Sequence, residues 1–217
     1  MTQKQLARKL GVTQAYLSLM ETGQRAVSAN AVKKLVAALG LPASVLPLPA
    51  EHVMKRPVSG LWVASCLGKL GYPGFAYLKK SGSIKNPVEV LLRALCVEEL
   101  EPRLAEALPW LLLEHEGLDI EETVAFAKER GLQNRLGFTV SLAAQAAEVS
   151  PGYTRRLKDL RKIEAALEPS RLAREDCFGR RPKSEAMRRW LCDHRSESAA
   201  HWNLLTDLKV KHLRFLS

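Results

Sequence analysis

The sequence predicts an all-α protein, and three observations support this fold class. Apolar residues recur at spacings of three and four along most of the 217 residues. Capping residues open many of these segments, and glycines close them. The alternation of apolar and polar residues that would indicate strands is absent from the sequence, and β-branched residues form no runs.

The composition is typical of a folded globular protein. Hydrophobic residues make up 47% of the chain and charged residues 26%, which argues against a disordered chain. No stretch approaches the roughly 18 uncharged apolar residues of a membrane span, and the first residues lack the apolar run of a signal peptide. The 4 cysteines are too few and too dispersed for a disulfide scaffold. We therefore expect a cytoplasmic protein that does not interact with a membrane.

Three helices are predicted in the first 46 residues, each with a capping residue and a closing glycine. In chain order these pairs are Thr2 with Gly11, Thr13 with Gly23, and Ser28 with Gly40. Prolines then occupy positions 42, 47, 49 and 57, where they restrict helix continuation. We therefore predict a first domain at 1–46, a linker at 47–58 and a helical domain at 59–217.

Further helices are predicted throughout the second domain. Asn86, Pro87 and Glu89 form the pattern of a cap, a first-turn proline and an acidic third residue. Asp119 followed by Glu122 resembles a capping box. The other predicted helices span 61–70, 132–149, 153–167, 184–192 and 199–205, with two more beginning at positions 102 and 109.

The net charge of +10 is unevenly distributed along the chain. Residues 1–58 contain eight basic and two acidic residues, whereas residues 87–131 contain four basic and eleven acidic ones. A basic segment suits a polyanion, because neutralising phosphates releases counterions and so supplies affinity. The acidic segment would be repelled by the same polyanion and suits a basic protein partner. The charges therefore predict two surfaces.

Residues 2–23 have the pattern of two short helices joined by a tight turn. Six residues are spaced to pack the two helices together: Leu6, Ala7, Leu10, Val12, Leu17 and Met20. A second helix held in this way can enter the major groove of DNA. Its outward residues would be Gln14, Ala15 and Ser18, with Tyr16 at the margin. Glutamine can bond adenine through two hydrogen bonds, and an alanine methyl can contact the thymine methyl.

This segment resembles a known family. Residues 2–40 are similar to the helix-turn-helix of the XRE family, the lambda-repressor-like DNA-binding domains of phage repressors, Cro proteins and many bacterial regulators and antitoxins. The matching residues are Thr2 and Gln3, Leu6 and Ala7, Leu10 to Val12, Thr13 and Gln14, and Glu21 with Gly23. The resemblance implies an amino-terminal lambda-repressor-like fold and binding to an operator in double-stranded DNA.

The resemblance also implies which residues contact DNA. The base contacts would be Gln14, Ala15, Tyr16 and Ser18. The backbone contacts would be Gln3, Thr13 and Arg25, with Gln3 also bracing the recognition helix. One short helix-turn-helix offers few base contacts, so we expect a homodimer on a palindromic operator.

Two features depart from the family pattern. Leu19 stands where family members often carry a basic or polar residue. Family domains also begin with a helix before the segment that Thr2 opens, and this first helix is absent from the sequence. Either the start was truncated, or another segment covers the apolar face that this helix would bury.

The predicted function is a sequence-specific DNA-binding transcriptional regulator. Resemblance to antitoxins with this layout implies an autoregulating antitoxin whose domain at 59–217 binds a cognate toxin. The alternative is a phage-type or housekeeping repressor with a dimerising or ligand-sensing domain, and a third class is an enzyme targeted to DNA. The sequence contains no phosphate-binding glycine loop, nucleophile elbow or HExxH motif. We therefore expect no catalytic residue and no cofactor.

Three other features of the second domain favour structural roles. The tryptophans are predicted to anchor the core: Trp62, Trp110, Trp190 and Trp202. Cys192, His194 and His201 lack a second pair at zinc spacing, so no metal site is predicted. The helix at 153–167 combines a leucine stripe with a basic face. That face is interpreted as solvated, although a dimer seam or a second nucleic-acid contact would have the same pattern.

Overall fold

The computed structural model describes residues 1–78 and 83–216. Within these ranges the chain forms twelve α-helices and one pair of two-residue strands, so the predicted all-α class is confirmed. The amino-terminal helices are α1 (Gln3–Leu10), α2 (Gln14–Glu21), α3 (Ala29–Leu39) and α4 (Glu51–Met54). The other helices are α5 (Gly60–Leu70), α6 (Pro87–Leu95), α7 (Pro102–Glu114), α8 (Ile120–Glu129), α9 (Gln133–Val149), α10 (Leu157–Leu167), α11 (Glu185–His194) and α12 (Glu197–His201). The strands are β1 (Asp176–Cys177) and β2 (Leu204–Leu205), which pair in parallel.

The first three helices form a small cluster with its own core. Ala7, Leu10 and Leu17 are buried at its centre, and partly buried Leu6, Val12 and Leu35 pack around them. Met20 was predicted to join this packing, but it is half-buried outside the cluster, and Leu35 of α3 supplies the packing instead. Among the described residues, this cluster includes none beyond α3.

The large core is built around α9, which is buried along almost its whole length. It packs against α7, α8, α10 and α12. Gly137 of α9 lies under the indole of Trp202, so closely that an added Cβ would lie 2.5 Å from ring carbons. The Trp202 Nε1 donates a hydrogen bond to the Ser141 Oγ, 2.9 Å away. The carboxy-terminal part of the chain is thereby fixed to the central helix.

The tryptophan prediction is correct for two of the four residues. Trp110 and Trp202 are buried in the large core. Trp62 is half-buried, and the Arg93 guanidinium lies 4.4 Å from its ring centroid. Trp190 is 47% exposed, so its prediction as a core anchor was wrong. A sequence pattern places an apolar residue on a helix face but does not say whether another element covers that face.

Three helix boundaries differ from the sequence prediction. Pro109 does not begin a helix but lies buried inside α7. The helix predicted at 153–167 begins at Leu157, after a 3₁₀ segment over Pro151–Arg156. The helix predicted at 199–205 ends at His201, because Leu204 and Leu205 pair with β1. Strand pairing over only two residues leaves no periodic pattern in the sequence.

The proline-rich segment 47–58 packs on the second domain. It contains α4, whose Met54 is buried against Val88 and Leu92 of α6. The Asn86 Nδ2 donates hydrogen bonds to the backbone oxygens of Ser44 and Leu46, which joins the end of the first domain to the start of α6. These contacts attach the segment that follows α3 to the larger domain.

Arg135 fixes β1 to the central helix. Its guanidinium bonds the carboxylate of Asp176 at 2.7 and 2.9 Å and the backbone oxygens of Leu95 and Val97. Burial opposes ionisation of Asp176, but the hydrogen bonds from Arg135 outweigh it and hold the pKa of that carboxyl below its ordinary value. Since β1 leads into the loop before α11, this ion pair also positions α11.

Candidate nucleic-acid interface

Local capping sets the geometry of α1 and α2. The Thr2 Oγ1 accepts from the Gln5 N–H, while the Gln5 Oε1 accepts from the Thr2 N–H, which completes a capping box. Gly11 closes α1 with φ at 74°, a conformation that favours glycine. The Thr13 Oγ1 then caps α2 by accepting from the Tyr16 N–H at 3.1 Å. These contacts hold α2 at a fixed angle to α1.

The predicted base-contacting residues lie on the outer side of α2. Gln14, Ala15 and Ser18 are exposed, whereas Tyr16 is half-buried. Leu17 faces the cluster, where it is buried, and anchors the helix to it. The amino-terminal half of α2 therefore presents a polar and methyl-bearing surface to solvent, and the major groove of DNA is wide enough to admit an α-helix.

A chain of three side chains connects α1 to both ends of α2. The Gln14 Nε2 donates to the Gln3 Oε1 at 2.8 Å, and the Gln3 Nε2 donates to the Glu21 Oε2 at 2.7 Å. Gln14 keeps one N–H and its carbonyl oxygen for a base, which is the pair that recognises adenine. Gln3 therefore orients the Gln14 amide, as the resemblance implied, and Glu21 is the acceptor that the sequence did not reveal.

Tyr16 and Arg25 also contact each other. The Arg25 guanidinium lies 5.2 Å from the Tyr16 ring centroid, within the range of a cation–π contact. The Arg25 N–H also donates to the Leu19 backbone oxygen at 3.0 Å, which holds the loop against the end of α2. The predicted base contact at Tyr16 and backbone contact at Arg25 are thus neighbours at one edge of α2.

The electrostatics of the first domain favour an anion. Its basic residues are Lys4, Arg8, Lys9, Arg25, Lys33 and Lys34, and all six are exposed. None of them takes part in an ion pair within the described residues. The one acidic residue in 1–46 is Glu21, whose carboxylate already accepts from Gln3. Phosphate groups would therefore meet six cations and a single carboxylate in this domain.

Two open concavities flank the start of α2. One, of about 640 Å³, is lined by Lys4, Arg8 and Gln14 among others, so two cations share a surface with the leading base-contact residue. The other, of about 530 Å³, includes Thr13, Asn30 and Lys34. Sequence reasoning did not select Lys4, Arg8 or Lys34. Lys4 and Arg8 are four residues apart, so their spacing predicts one face of α1, and Lys34 lies on α3. The sequence does not show that these faces border the start of α2.

The basic face of α10 is largely neutralised by acids. Arg161 bonds Glu148 at 2.6 Å and Glu164 at 2.7 Å, and Lys162 lies 3.8 Å from Asp159. Arg155 bonds Glu116, while Arg156 is buried and donates to the Leu112 backbone oxygen. These contacts favour the interpretation of this face as a solvated surface.

The described residues contain no group of three or more side chains suited to a metal ion. His194 stacks on Trp190, and His201 instead bonds Glu168 at 2.8 Å. None of the described helices is both long and apolar enough to cross a membrane.

The comparison with known proteins identifies the first domain. Residues 1–46 match the family model described as Helix-turn-helix, and they comprise α1, α2, α3 and the turn that follows them. No curated protein and no solved structure gives a significant match to the chain. The match extends over the segment that carries the predicted DNA contacts. Residues 1–46 are therefore an XRE-type helix-turn-helix domain, and the protein is a DNA-binding transcriptional regulator.

Proposed function

We propose that the protein represses transcription in the cytoplasm by binding a palindromic operator as a two-fold dimer. The observation that carries this proposal is the exposed row of Gln14, Ala15 and Ser18, braced by Gln3. A preoriented amide loses less conformational freedom when it bonds a base. The proposed activity is binding without catalysis.

Gln14→Ala is expected to relax base preference. The substitution removes the amide that Gln3 orients, and we expect a loss of about 1–3 kcal/mol on the best site and little loss on random DNA. The operator is first obtained by selection from a random duplex library with the full chain. Fluorescence anisotropy on the selected and random duplexes then measures both affinities. Equal losses on both duplexes would contradict the assignment of Gln14 to base recognition.

Arg25→Ala is the matched control for a backbone contact. It removes a cation at the edge of α2, so specific and non-specific affinity should fall together. The slope of log affinity against log salt should flatten by about one unit. A loss confined to the selected duplex would instead place Arg25 among the base contacts.

The operator complex is expected to contain two chains. Two half-sites about one helical turn apart, or ~34 Å, would let both copies of α2 enter the major groove on one face of the duplex. Sedimentation of the complex gives its stoichiometry, and footprinting gives the spacing of the half-sites. One chain that protects a single half-site would contradict the dimer.

A second candidate function, the autoregulating antitoxin, is favoured by an acidic surface on the second domain. Five exposed acidic residues follow one another from the end of α7 into α8: Glu114, Glu116, Asp119, Glu121 and Glu122. No lysine or arginine lies between positions 103 and 128, although Arg155 from the segment before α10 bonds one of the five, Glu116, at 3.0 Å. Such a surface complements a basic protein, and it would stay available while the basic first domain occupies DNA.

Co-expression with the product of the neighbouring gene tests the antitoxin role. The full chain should restore growth if that product is toxic, and the double variant Glu121→Lys, Glu122→Lys should not. Gln14→Ala serves as the control, because it should weaken operator binding and leave neutralisation of the toxin intact. If the full chain does not neutralise its neighbour, the repressor alternative with a dimerising or ligand-sensing domain is favoured.

A further inference from the structure

Glu21 occupies a position where both the helix and DNA disfavour an acidic side chain. It is the last residue of α2, where the partial negative charge of a helix carboxy terminus repels a carboxylate. It is also the one acidic residue in 1–46, and it would repel the phosphates that the cations of this domain attract. Its carboxylate accepts a hydrogen bond from Gln3 at 2.7 Å. The role of Glu21 is therefore sought in that hydrogen bond.

The Glu21 carboxylate fixes the direction of each hydrogen bond between itself and Gln14. A carboxylate can only accept, so the part of the Gln3 amide that faces it is the Nε2. The Gln3 Oε1 then points the other way and can only accept, so Gln14 must donate to it through its own Nε2, at 2.8 Å. Gln14 is left with its carbonyl oxygen and one N–H. An amide in place of the carboxylate would allow both directions, because an amide can donate as well as accept.

The backbone brings these three side chains together. Gln14 and Glu21 are seven residues apart, so they lie on one face of α2, about two turns from each other. Gln3 is the first residue of α1, and its half-buried side chain reaches both of them. The buried Leu17 holds α2 in the cluster that includes α1. The Gln3 amide is therefore held between the two ends of α2.

We propose that Glu21 is a positioning residue that selects adenine over guanine by setting the direction of the Gln14 amide. This inference rests on the proposed function, in which Gln14 contacts a base, and names what decides that base. In the major groove adenine presents the N6–H donor and the N7 acceptor, which match the oxygen and the N–H left on Gln14. Guanine presents two acceptors, O6 and N7, so the Gln14 oxygen would face an acceptor. Turning the Gln14 amide to suit guanine would set its oxygen against the Gln3 Oε1.

Entry of α2 into the groove strengthens this preference. In the free protein Gln14 and Glu21 are exposed, so water competes for both hydrogen bonds. A base over Gln14 excludes part of this water. Hydrogen bonds become stronger and unmatched polar groups more costly where the local dielectric is low. The direction imposed by Glu21 therefore matters most in the specific complex.

The ratio of affinities for two duplexes tests the role of Glu21. The duplexes differ only at the base pair whose preference Gln14→Ala removes, with adenine in one and guanine in the other. In the full chain, Glu21→Gln should lower the adenine-to-guanine ratio by about tenfold, since glutamine has a similar shape but can also donate. Affinity for random DNA should rise at the same time, because a negative charge is lost. A purely structural defect would lower both affinities and leave the ratio unchanged.

Three further variants are the controls for this measurement. Gln24→Lys makes the same change in net charge from an exposed position after α2, so it should raise both affinities alike. Glu21→Lys should move the preference towards guanine, because a lysine can only donate and would reverse each bond up to Gln14. In a Gln3→Ala background neither substitution of Glu21 should change the ratio, since the effect passes through Gln3.

The outcomes separate this inference from the proposed function. If Gln14→Ala leaves the preference at every operator position unchanged, both this inference and the base contact of the proposed function are overturned. If Gln14→Ala relaxes one position but Glu21→Gln leaves the ratio there unchanged, the role of Glu21 alone is overturned. An effect of Glu21→Gln that persists in the Gln3→Ala background also overturns it. Circular dichroism checks the folding of each variant, and the similar shape of glutamine lets Glu21→Gln decide the matter if Glu21→Lys does not fold.

Discussion

A fragment that begins at residue 43 is expected to lose operator binding by about 1,000-fold or more, the usual margin between specific and non-specific sites. It lacks α1, α2 and α3, and with them the row at Gln14, Ala15 and Ser18. It keeps Ser44 and Leu46, whose backbone oxygens accept from Asn86, and it keeps the buried Met54. Cooperative urea unfolding should therefore survive, because the large core is intact.

A fragment that begins at residue 59 is the matched comparison. It lacks Met54, which packs on Val88 and Leu92, and it leaves Asn86 without two of its acceptors. We expect it to be less stable than the longer fragment by about 2–5 kcal/mol, the range for losing a large buried apolar side chain. Urea unfolding of both fragments gives the difference. Equal stabilities would show that α4 contributes nothing to the second domain, and retained operator binding would contradict the assignment of the interface.

The helix-turn-helix was predictable because its determinants are local. Thr2, Gly11 and Thr13 act within four residues of the backbone groups they bond, so their roles can be inferred from spacing alone. The same holds for the Asn86 and Asp119 caps, which the structure reproduces. The outward placement of Gln14 and Ser18 follows from helical periodicity once Leu17 is assigned to the core.

The remaining features depend on contacts between distant residues. Pro109 continues a helix because the surrounding core holds α7 in place, and no local signal states this. Trp190 and Trp202 are both tryptophans on apolar helical patterns, yet one is half-exposed and the other fully buried. The contact of Arg25 with Tyr16 likewise depends on how the loop returns to α2. Residue spacing predicts which side of a helix is apolar, but contacts between distant residues determine which of these sides are buried against each other.

Trp202→Ala is expected to destabilise the folded chain by about 3–5 kcal/mol, the range for deleting a buried tryptophan. Its side chain has no exposed surface, and the Gly137 backbone lies directly against the indole. The cavity left behind borders α9, a helix that cannot easily move inward because its neighbours enclose it. The Ser141 Oγ also loses the indole N–H as a donor. Urea unfolding followed by circular dichroism measures the change in the free energy of unfolding.

Trp190→Ala is the matched control, because it deletes the same side chain from a half-exposed position. It should cost much less than Trp202→Ala when both are measured at a protein concentration low enough to keep the chain monomeric. Trp202→Phe separates packing from hydrogen bonding, since it restores much of the buried volume and leaves the Ser141 hydroxyl without the indole. Below the unfolding transition, Trp202→Ala should bind a single half-site as the full chain does, because the cluster of Ala7, Leu10 and Leu17 is a separate core. Comparable losses for the two alanine variants would contradict the assignment of Trp202 as the anchor between α9 and the carboxy-terminal segment.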